Sequence, residues 1–176
     1  MFLLKSNDHF FLKSIYQVLN SRSSYFLIND KDFFFETISI ENQENFIIFE
    51  SNNFRKKISK PFTIKSIFDT IYFIMTDVKI EINGATYIPF KQKIHLDKKS
   101  IILGNIHNLI FSSLLLYSKQ GLLKSFLYKM IWPEDKNLQP NKLDTHLTNL
   151  KNLLFEKLKF HLEIKMVNGK MFLVIN

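Results

Sequence analysis

Apolar residues recur at helical spacing in the segment 141–157, where they form a single stripe along one side of the predicted helix. The stripe consists of Leu143, Leu147, Leu150 and Leu154. The opposite side carries amides and hydroxyls, and lysines lie on its flanks: Asn141, Thr145, Thr148, Asn149 and Asn152, with Lys142 and Lys151. A solvated amphipathic helix is the commonest explanation of such a pattern. A polar surface of this composition also suits a groove in nucleic acid.

Strands and helices alternate along residues 1–77. The pattern predicts strands at 2–4, 25–28 and 45–50 and helices at 11–19 and 64–75. Asp30 suits the start of a short helix that runs to Phe35 or Thr37. This alternation predicts a small parallel α/β layer, with the domain boundary between residues 77 and 78.

Residues 78–176 follow a different order, namely an antiparallel sheet, three helices and a hairpin. The dipeptides Asn83-Gly84 and Asn168-Gly169 are hairpin turn signals. The predicted elements are a hairpin at 79–87, strands at 88–90, 93–96 and 101–103, helices at 105–118, 122–131 and 141–157, and strands at 163–167 and 171–175. Pro140 suits the first turn of the third helix. Helix-turn-helix geometry places such a helix in the major groove, with the hairpin beside it.

The composition fits a protein without cysteine chemistry. Hydrophobic residues make up 46% of the 176 residues, which is enough to form a core. The absence of Cys excludes disulfides and thiolate metal sites. No apolar run reaches the length of a membrane span, and the apolar start is too short for a signal sequence. We therefore expect a soluble, cytoplasmic protein with no membrane partner.

Positive charge is concentrated in the second half of the chain. Residues 1–75 contain 9 Lys/Arg and 8 Asp/Glu, a net charge of +1, whereas residues 76–176 contain 15 and 8, a net charge of +7. Cationic side chains that neutralise phosphates release counterions, so this asymmetry is typical of nucleic-acid binding. A solubilising, lysine-rich surface would produce the same composition.

No pattern of catalytic or metal-binding residues stands out. The five histidines are scattered without an i, i+4 pair, which argues against a zinc site. There is no glycine-rich phosphate loop and no serine-elbow motif. His146, at the edge of the leucine stripe, fits a packed, hydrogen-bonded histidine better than a ligand, and Glu134 and Asp135 fit loop or capping roles. We expect no enzyme activity, cofactor or metal.

The second half resembles the winged-helix domain of OmpR/PhoB-type response regulators. Residues 122–132 end in Ile-Trp, as the family's second effector helix ends in Val-Trp or Ile-Trp. Residues 143–154 contain the family's recognition-helix pattern Asp-x-His-x-x-x-Leu, beginning at Asp144. Residues 164–172 resemble the wing, with Gly169 at its turn, and Leu103 with the helix after it resembles the first effector helix.

This resemblance implies an α+β winged helix-turn-helix domain at 78–176 that binds double-stranded DNA. Helix 141–157 would enter the major groove, and the wing at 164–175 would contact the backbone or the minor groove. The expected DNA-contacting residues are Asn141, Lys142, Thr145, His146, Thr148, Asn149, Lys151, Asn152, Lys165, Asn168 and Lys170. Relatives commonly carry Arg at the positions of Asn149, Asn152 and Asn168, and Met171 replaces the second wing glycine. We therefore expect weaker binding or a larger contribution from the lysines.

Residues 1–77 resemble a shortened, degenerate receiver domain of α/β type. The tripeptide 60–62, Lys-Pro-Phe, and the helix after it match the end of a receiver. Ser6 and Asn7 occupy the positions of the acidic pair, Asp8 follows them, and Glu50 lies where the phosphoacceptor Asp would be. One or two βα units are missing between residues 46 and 60. We expect a pseudo-receiver that phosphorylation does not switch, with Glu50 as a phosphomimic as the alternative.

The leading hypothesis is a phosphorylation-independent transcriptional regulator of the two-component type that forms a homodimer through its N-terminal domain, at helix 64–75. The alternative is a winged-helix protein-interaction module or adaptor that has lost DNA binding and exposes aromatic residues. Those residues are Phe33, Phe34, Phe35, Tyr72 and Phe73. RNA polymerase is a further candidate partner, through the loop 132–140.

Overall fold

A computed structural model describes residues 2–20, 26–28 and 35–175. The chain divides into two compact units, Met1–Val78 and Lys79–Asn176. The first unit is a sheet with two helices, and the second contains two smaller sheets and three helices. The fold is therefore mixed α/β in both units.

The first unit is built on one mixed sheet. Its elements are β1 (Phe2–Ser6), α1 (His9–Asn20), β2 (Phe26–Ile28), β3 (Glu36–Asn42), β4 (Phe46–Ser51), β5 (Phe54–Ser59) and α2 (Ile64–Asp77). The strand order is β2-β1-β3-β4-β5. β1 is parallel to β2 and β3, whereas β3, β4 and β5 are antiparallel to one another. Apolar side chains of β1, β3 and β4 form the core with those of the two helices.

The parallel layer expected from the sequence is present only in part, because β3, β4 and β5 pair in antiparallel fashion. Two of these strands, β3 and β5, were not predicted. Two residues separate β4 from β5 and three separate β3 from β4. Parallel strands need a crossover of a dozen or more residues, so these short links dictate antiparallel pairing. β5 carries three consecutive cations, Arg55 to Lys57, and has a paired neighbour on one side only. An edge strand can be this polar.

Part of the predicted pattern lies outside the described residues. The helix that was expected to start at Asp30 falls largely there, and Thr37, one of its two possible ends, lies in β3. The structure places β2 at Phe26–Ile28, one residue inside the predicted strand 25–28. In β3, Ile38 and Ile40 are buried and alternate with exposed or half-buried neighbours, which is the period of a strand.

The second unit has the predicted order of sheet, helices and hairpin. Its elements are β6 (Ile80–Ile82), β7 (Ala85–Ile88), β8 (Lys93–Leu96), β9 (Lys99–Ile102), α3 (Asn105–Leu116), β10 (Leu122–Leu123), α4 (Lys124–Ile131), α5 (Pro140–Leu158), β11 (Ile164–Val167) and β12 (Lys170–Leu173). β6 to β9 form an antiparallel meander, and the second sheet has the order β10-β12-β11. Asn83, Gly84, Asn168 and Gly169 all have positive φ, as a type I′ hairpin turn requires.

The beginning of the predicted helix 122–131 is a short strand instead. Leu122 and Leu123 form β10 and pair with Met171 and Lys170 of β12. Gly121 makes this possible, because its φ of +74° lies in the left-handed region that glycine adopts at no steric cost. The sequence pattern could not show this pairing, since the partner strand lies almost 50 residues further along the chain.

α3 is buried against the meander. The Tyr87 ring meets Phe111 edge-on, with 4.8 Å between centroids. The Tyr87 hydroxyl donates a hydrogen bond to Asn108 Oδ1 (2.6 Å) and lies 2.6 Å from Ser112 Oγ. This polar network satisfies side chains that are otherwise fully buried. α3 thus provides a rigid support against which α4 and α5 pack.

Candidate nucleic-acid interface

α5 presents one continuous polar surface. Its leucine stripe is buried, with Leu150 and Leu154 fully inaccessible, and the side opposite is exposed. The exposed acid Glu156 lies on that side near the end of the helix. Before it, the exposed polar residues are Asn141, Thr145, Thr148, Asn149 and Asn152. This set is called the outward face below. The structure therefore brings five of the predicted contact residues onto one surface.

The amides of the outward face are free to bind. Within residues 2–20, 26–28 and 35–175, the side chains of Asn141, Asn149 and Asn152 make no hydrogen bond. The Thr145 hydroxyl, in contrast, donates to the main-chain oxygen of Asn141 at 2.8 Å.

Lys142 points away from the outward face. Its Nζ lies 2.9 Å from Asp135 Oδ2 and 4.3 Å from the centre of the Trp132 ring. The side chain is about one third exposed. Lys142 therefore joins α5 to the loop before it, and its charge is already paired. Lys151, on the other flank, is half-buried.

The loop between α4 and α5 is fastened by aromatic and ionic contacts. The Tyr128 hydroxyl donates to Asp135 Oδ2 at 2.6 Å, and the Tyr128 and Trp132 rings lie 4.8 Å apart. Hydrogen bonds from Tyr128 and then Lys142 lower the pKa of Asp135. Burial and the bond to Asp135 raise the pKa of Tyr128. Asp135, interpreted as a loop or capping residue, is thus the centre of this junction.

His146 is oriented toward α3 and not toward the outward face. Its ring centre lies 5.7 Å from that of His107 and 5.5 Å from that of Trp132. Nδ1 of His146 is buried and has no hydrogen-bond partner among the described residues. Burial, and secondarily the charge of His146, lower the pKa of His107. His146 is a packed histidine, although the hydrogen bond expected for it is absent at Nδ1.

A second ion pair links α4 to α5. Lys124 Nζ contacts Asp144 Oδ1, with both side chains partly exposed. Asp135 and Asp144 are the acidic residues nearest the start of α5, and each is paired with a lysine. The pairing neutralises acids that would otherwise repel a phosphate backbone.

The hairpin β11–β12 carries the other predicted residues. Lys165, Asn168 and Lys170 are all exposed. Lys165 Nζ lies 3.4 Å from Glu163 Oε1, and Lys170 Nζ donates to the main-chain oxygen of Gln120 at 3.4 Å. These exposed contacts are weak and can exchange for others. The hairpin therefore presents two available cations beside an exposed turn.

In the first unit, Asp8 is held by the fold. Its Oδ1 accepts a hydrogen bond from the Phe11 amide at 2.9 Å at the start of α1, and its Oδ2 accepts one from Asn42 Nδ2 at 2.8 Å. These two bonds, the first being the larger cause, lower the pKa of Asp8. Asn7 also pairs with the main chain of Asn42. The sequence offered no signal for Asn42, which lies 34 residues from Asp8.

The cavity at the end of β1, where a receiver would have its acidic pocket, contains two acids, Glu41 and Glu50. It has a volume of about 260 Å³ and is lined by Lys5, Ser6, Asn7, Ser39, Ile40, Glu41, Ile48 and Glu50. Over the part of the chain that the structure describes, no group of three His, Asp or Glu residues could hold a metal ion.

None of the helices in the described ranges has the length and apolar character needed to cross a membrane.

No protein-family model matches the chain, and no curated protein matches its sequence. The DNA-binding domain of E. coli CadC is 12% identical, with a TM-score of 0.46 over 55% of this chain and 91% of that one. The C-terminal domain of the nisin resistance regulator NsrR, a lantibiotic response regulator, is 26% identical, with a TM-score of 0.41 over 53% and 93%. A RitR mutant is 13% identical, with a TM-score of 0.41 over 99% of this chain and 65% of that one. All three TM-scores lie below 0.5, so these likenesses are weak.

Proposed function

We propose that this protein is a DNA-binding transcriptional regulator of the winged-helix response-regulator type. The observation that carries the proposal is the outward face of α5, where amides and hydroxyls are exposed together and three amides have no partner in the described structure. An exposed helix surface rich in amides is what base edges in the major groove can recognise. The hairpin β11–β12 would contact the adjacent backbone or minor groove.

Two ion pairs hold α4 and the loop after it against α5, behind the outward face. The ion pair between Lys124 and Asp144 connects α4 to α5. The ion pair between Lys142 and Asp135 connects the loop after α4 to α5. A recognition helix has to be held in one orientation for its side chains to meet particular base pairs. The predicted contacts Lys142 and His146 would thus act by positioning α5, while the outward face makes the contacts.

The phosphate contacts would come from lysines outside the outward face. Lys165 and Lys170 are exposed on the hairpin, and Lys151 lies on the flank of α5. Each lysine that neutralises a phosphate makes binding more sensitive to salt, because counterions are released. The proposal therefore requires duplex binding that weakens steeply as the salt concentration rises.

Fluorescence anisotropy with duplexes from a random library, at several salt concentrations, tests the proposal. Lys151→Ala should weaken binding to all sequences and reduce the slope of log affinity against log salt by about 1. Asn149→Ala should reduce sequence preference and leave the slope unchanged. Lys98→Ala, at an exposed lysine in the turn between β8 and β9, is the matched control. The absence of salt-sensitive binding by the wild type would refute the proposal.

Independence from phosphorylation is supported by the position of Asp8. A phosphoryl-accepting site needs carboxylates that are free to hold Mg²⁺ and an Asp nucleophile. The Asp8 carboxylate instead accepts hydrogen bonds from Phe11 and Asn42. Glu50 lines the cavity and lies opposite Arg55 in the register of β4 and β5. The first unit would then act as a pseudo-receiver that needs no phosphoryl group.

A second candidate function, protein interaction, is favoured by exposed apolar side chains on the helices of the first unit. Phe10 is 84% exposed, Ile64 68% and Phe73 57%. Tyr72 is half-buried, and Phe33 and Phe34 lie outside the described residues. Of these side chains, Ile64 and Phe73 lie on α2 and suit the expected homodimer through that helix. A dimer by light scattering together with DNA binding supports the regulator, whereas a stable complex with a protein partner and no DNA binding supports the adaptor.

A further inference from the structure

We propose that α5 selects A·T base pairs in the major groove. The inference rests on the proposed function and adds the class of DNA sequence that the protein recognises. It follows from the chemistry of the outward face, which contains three asparagines, two threonines and no cation.

The asparagine amides match adenine. A carboxamide has a donor and an acceptor side by side, and adenine presents N6 as a donor and N7 as an acceptor in the major groove. Asn141, Asn149 and Asn152 are exposed and have no side-chain partner in the described ranges. Each of them is therefore able to form the bidentate contact without breaking a bond within the protein.

The threonines match thymine. The Thr145 hydroxyl donates to the Asn141 main-chain oxygen at 2.8 Å, so its hydrogen is engaged within the helix. Thr145 is exposed as a residue, so its methyl group would contact the C5 methyl of thymine, a known pairing of apolar groups in the major groove. Thr148 is exposed on the same side of the helix.

Guanine has no matching group on this surface. The commonest guanine contact is a bidentate Arg or Lys at O6 and N7. The nearest cation toward the start of α5, Lys142, is paired with Asp135 and stacked over Trp132. Lys151 is half-buried on the flank. The outward face thus contacts adenine and thymine but leaves guanine without a strong partner.

Glu156 limits how much of α5 contacts the bases. It is exposed one turn after Asn152, and its carboxylate could accept from cytosine N4 or repel phosphates. Residues near the start of a recognition helix reach the base edges. The contact surface is therefore the outward face, from Asn141 to Asn152, and Glu156 lies beyond it.

Competition between duplexes of equal length tests the selectivity, one with a random A·T core and the other with a random G·C core in identical flanks. The whole wild-type chain should prefer the A·T core by about 5- to 100-fold for each recognised position. Asn149→Arg should shift preference at its position toward G·C. If neither duplex binds in a salt-sensitive manner, the proposed function fails together with this inference. If both bind equally, or the G·C core binds better, only this inference is overturned.

Atomic substitutions in the DNA assign the contacts. Deoxyuridine in place of thymine, which removes the C5 methyl, should weaken wild-type binding but should not further weaken binding by the double variant Thr145→Ser, Thr148→Ser. The serines keep the hydroxyls and remove only the methyl groups. In the same way, 7-deazaadenine should affect the wild type more than the variant Asn149→Ala. Variants that respond to the altered bases as the wild type does would overturn the assignment.

Discussion

The role of Lys142 depends on its neighbours more than on its residue type. The sequence places it on the flank of the outward face, where a lysine would contact phosphate. In the structure its ammonium group lies between the Asp135 carboxylate and the Trp132 ring. A pair that is two thirds shielded keeps its geometry better than a fully exposed one. Lys142 therefore orders the loop before α5, and Lys151 is left as the cation on the opposite flank.

Gly121 is expected to tolerate substitution worse than the other glycines. A Cβ at Gly121 would lie 2.5 Å from Cζ of Phe172, and φ is +74°. Gly121→Ala should lower the free energy of unfolding by the left-handed penalty of about 1–2 kcal/mol plus the cost of moving the ring. Gly169→Ala, with a φ of +76° and no atom within 4 Å, shows the backbone penalty alone. Urea denaturation of both variants measures the difference, and an equal loss would contradict the role of Phe172.

The Asp8 carboxylate is expected to make stability depend on pH. Its pKa is lowered by bonds that require the charged form. A depressed pKa contributes stability that is complete above the ordinary carboxyl value and is lost as the pH falls through the lower, folded value. Asp8→Asn keeps a capping oxygen but removes the charge, so it should be less stable than the wild type at pH 7, with a smaller difference near pH 3. Urea denaturation at both pH values tests this, and a constant difference would contradict it.

The C-terminal end of α5 has an unfavourable, left-handed backbone conformation at Lys159. Lys159 ends the helix with φ of +60°, and its amide donates to the main-chain oxygen of Phe155 at 2.8 Å. Glycine is the usual residue at a left-handed helix end. The Lys159 ammonium also lies 5.0 Å from the Phe155 ring. The helix end therefore combines an unfavourable backbone angle with a weak favourable contact.

Replacement of Lys159 by glycine should stabilise the second unit. Relief of the left-handed conformation is worth about 1 kcal/mol, whereas the exposed contact with Phe155 contributes about 0.5 kcal/mol. Thermal denaturation of Lys159→Gly should therefore show a small rise in midpoint. Lys157→Gly, in the last turn of α5 and still within the helix, should have the opposite effect because glycine is a poor helix former. A fall in the midpoint for Lys159→Gly would show that the cation contact dominates.

The sequence predicted regular elements well where the cause is local. The leucine stripe and Pro140 predicted α5 to within one residue at each end, since both signals lie inside the helix. It failed for β5, whose polar residues are compatible with a strand only at the edge of a sheet. β10 was predicted to be part of a helix, because its pairing with β12 is a long-range contact that the local pattern does not show.

For the whole molecule, phosphoryl donors are expected to have no effect. Acetyl phosphate with Mg²⁺ should neither add mass to the protein nor change its affinity for DNA, because Asp8 is engaged by Phe11 and Asn42. Mass spectrometry and anisotropy on the same samples provide the two measurements. A phosphoryl adduct that tightens DNA binding would contradict the pseudo-receiver, and mapping it to Asp8 would identify the acceptor.

The sequence by itself determined the features that depend on local chemistry. Helical periodicity produced the outward face, the Asn-Gly dipeptides produced the two hairpin turns, and the distribution of lysines produced the charge asymmetry. The tertiary structure decided which polar groups are available to a partner. It paired Lys142 with Asp135, turned His146 toward His107, and brought Asn42 to Asp8. Two of these contacts join residues more than 30 positions apart, and the third depends on the path of the loop before α5, so residue spacing along the chain does not reveal them.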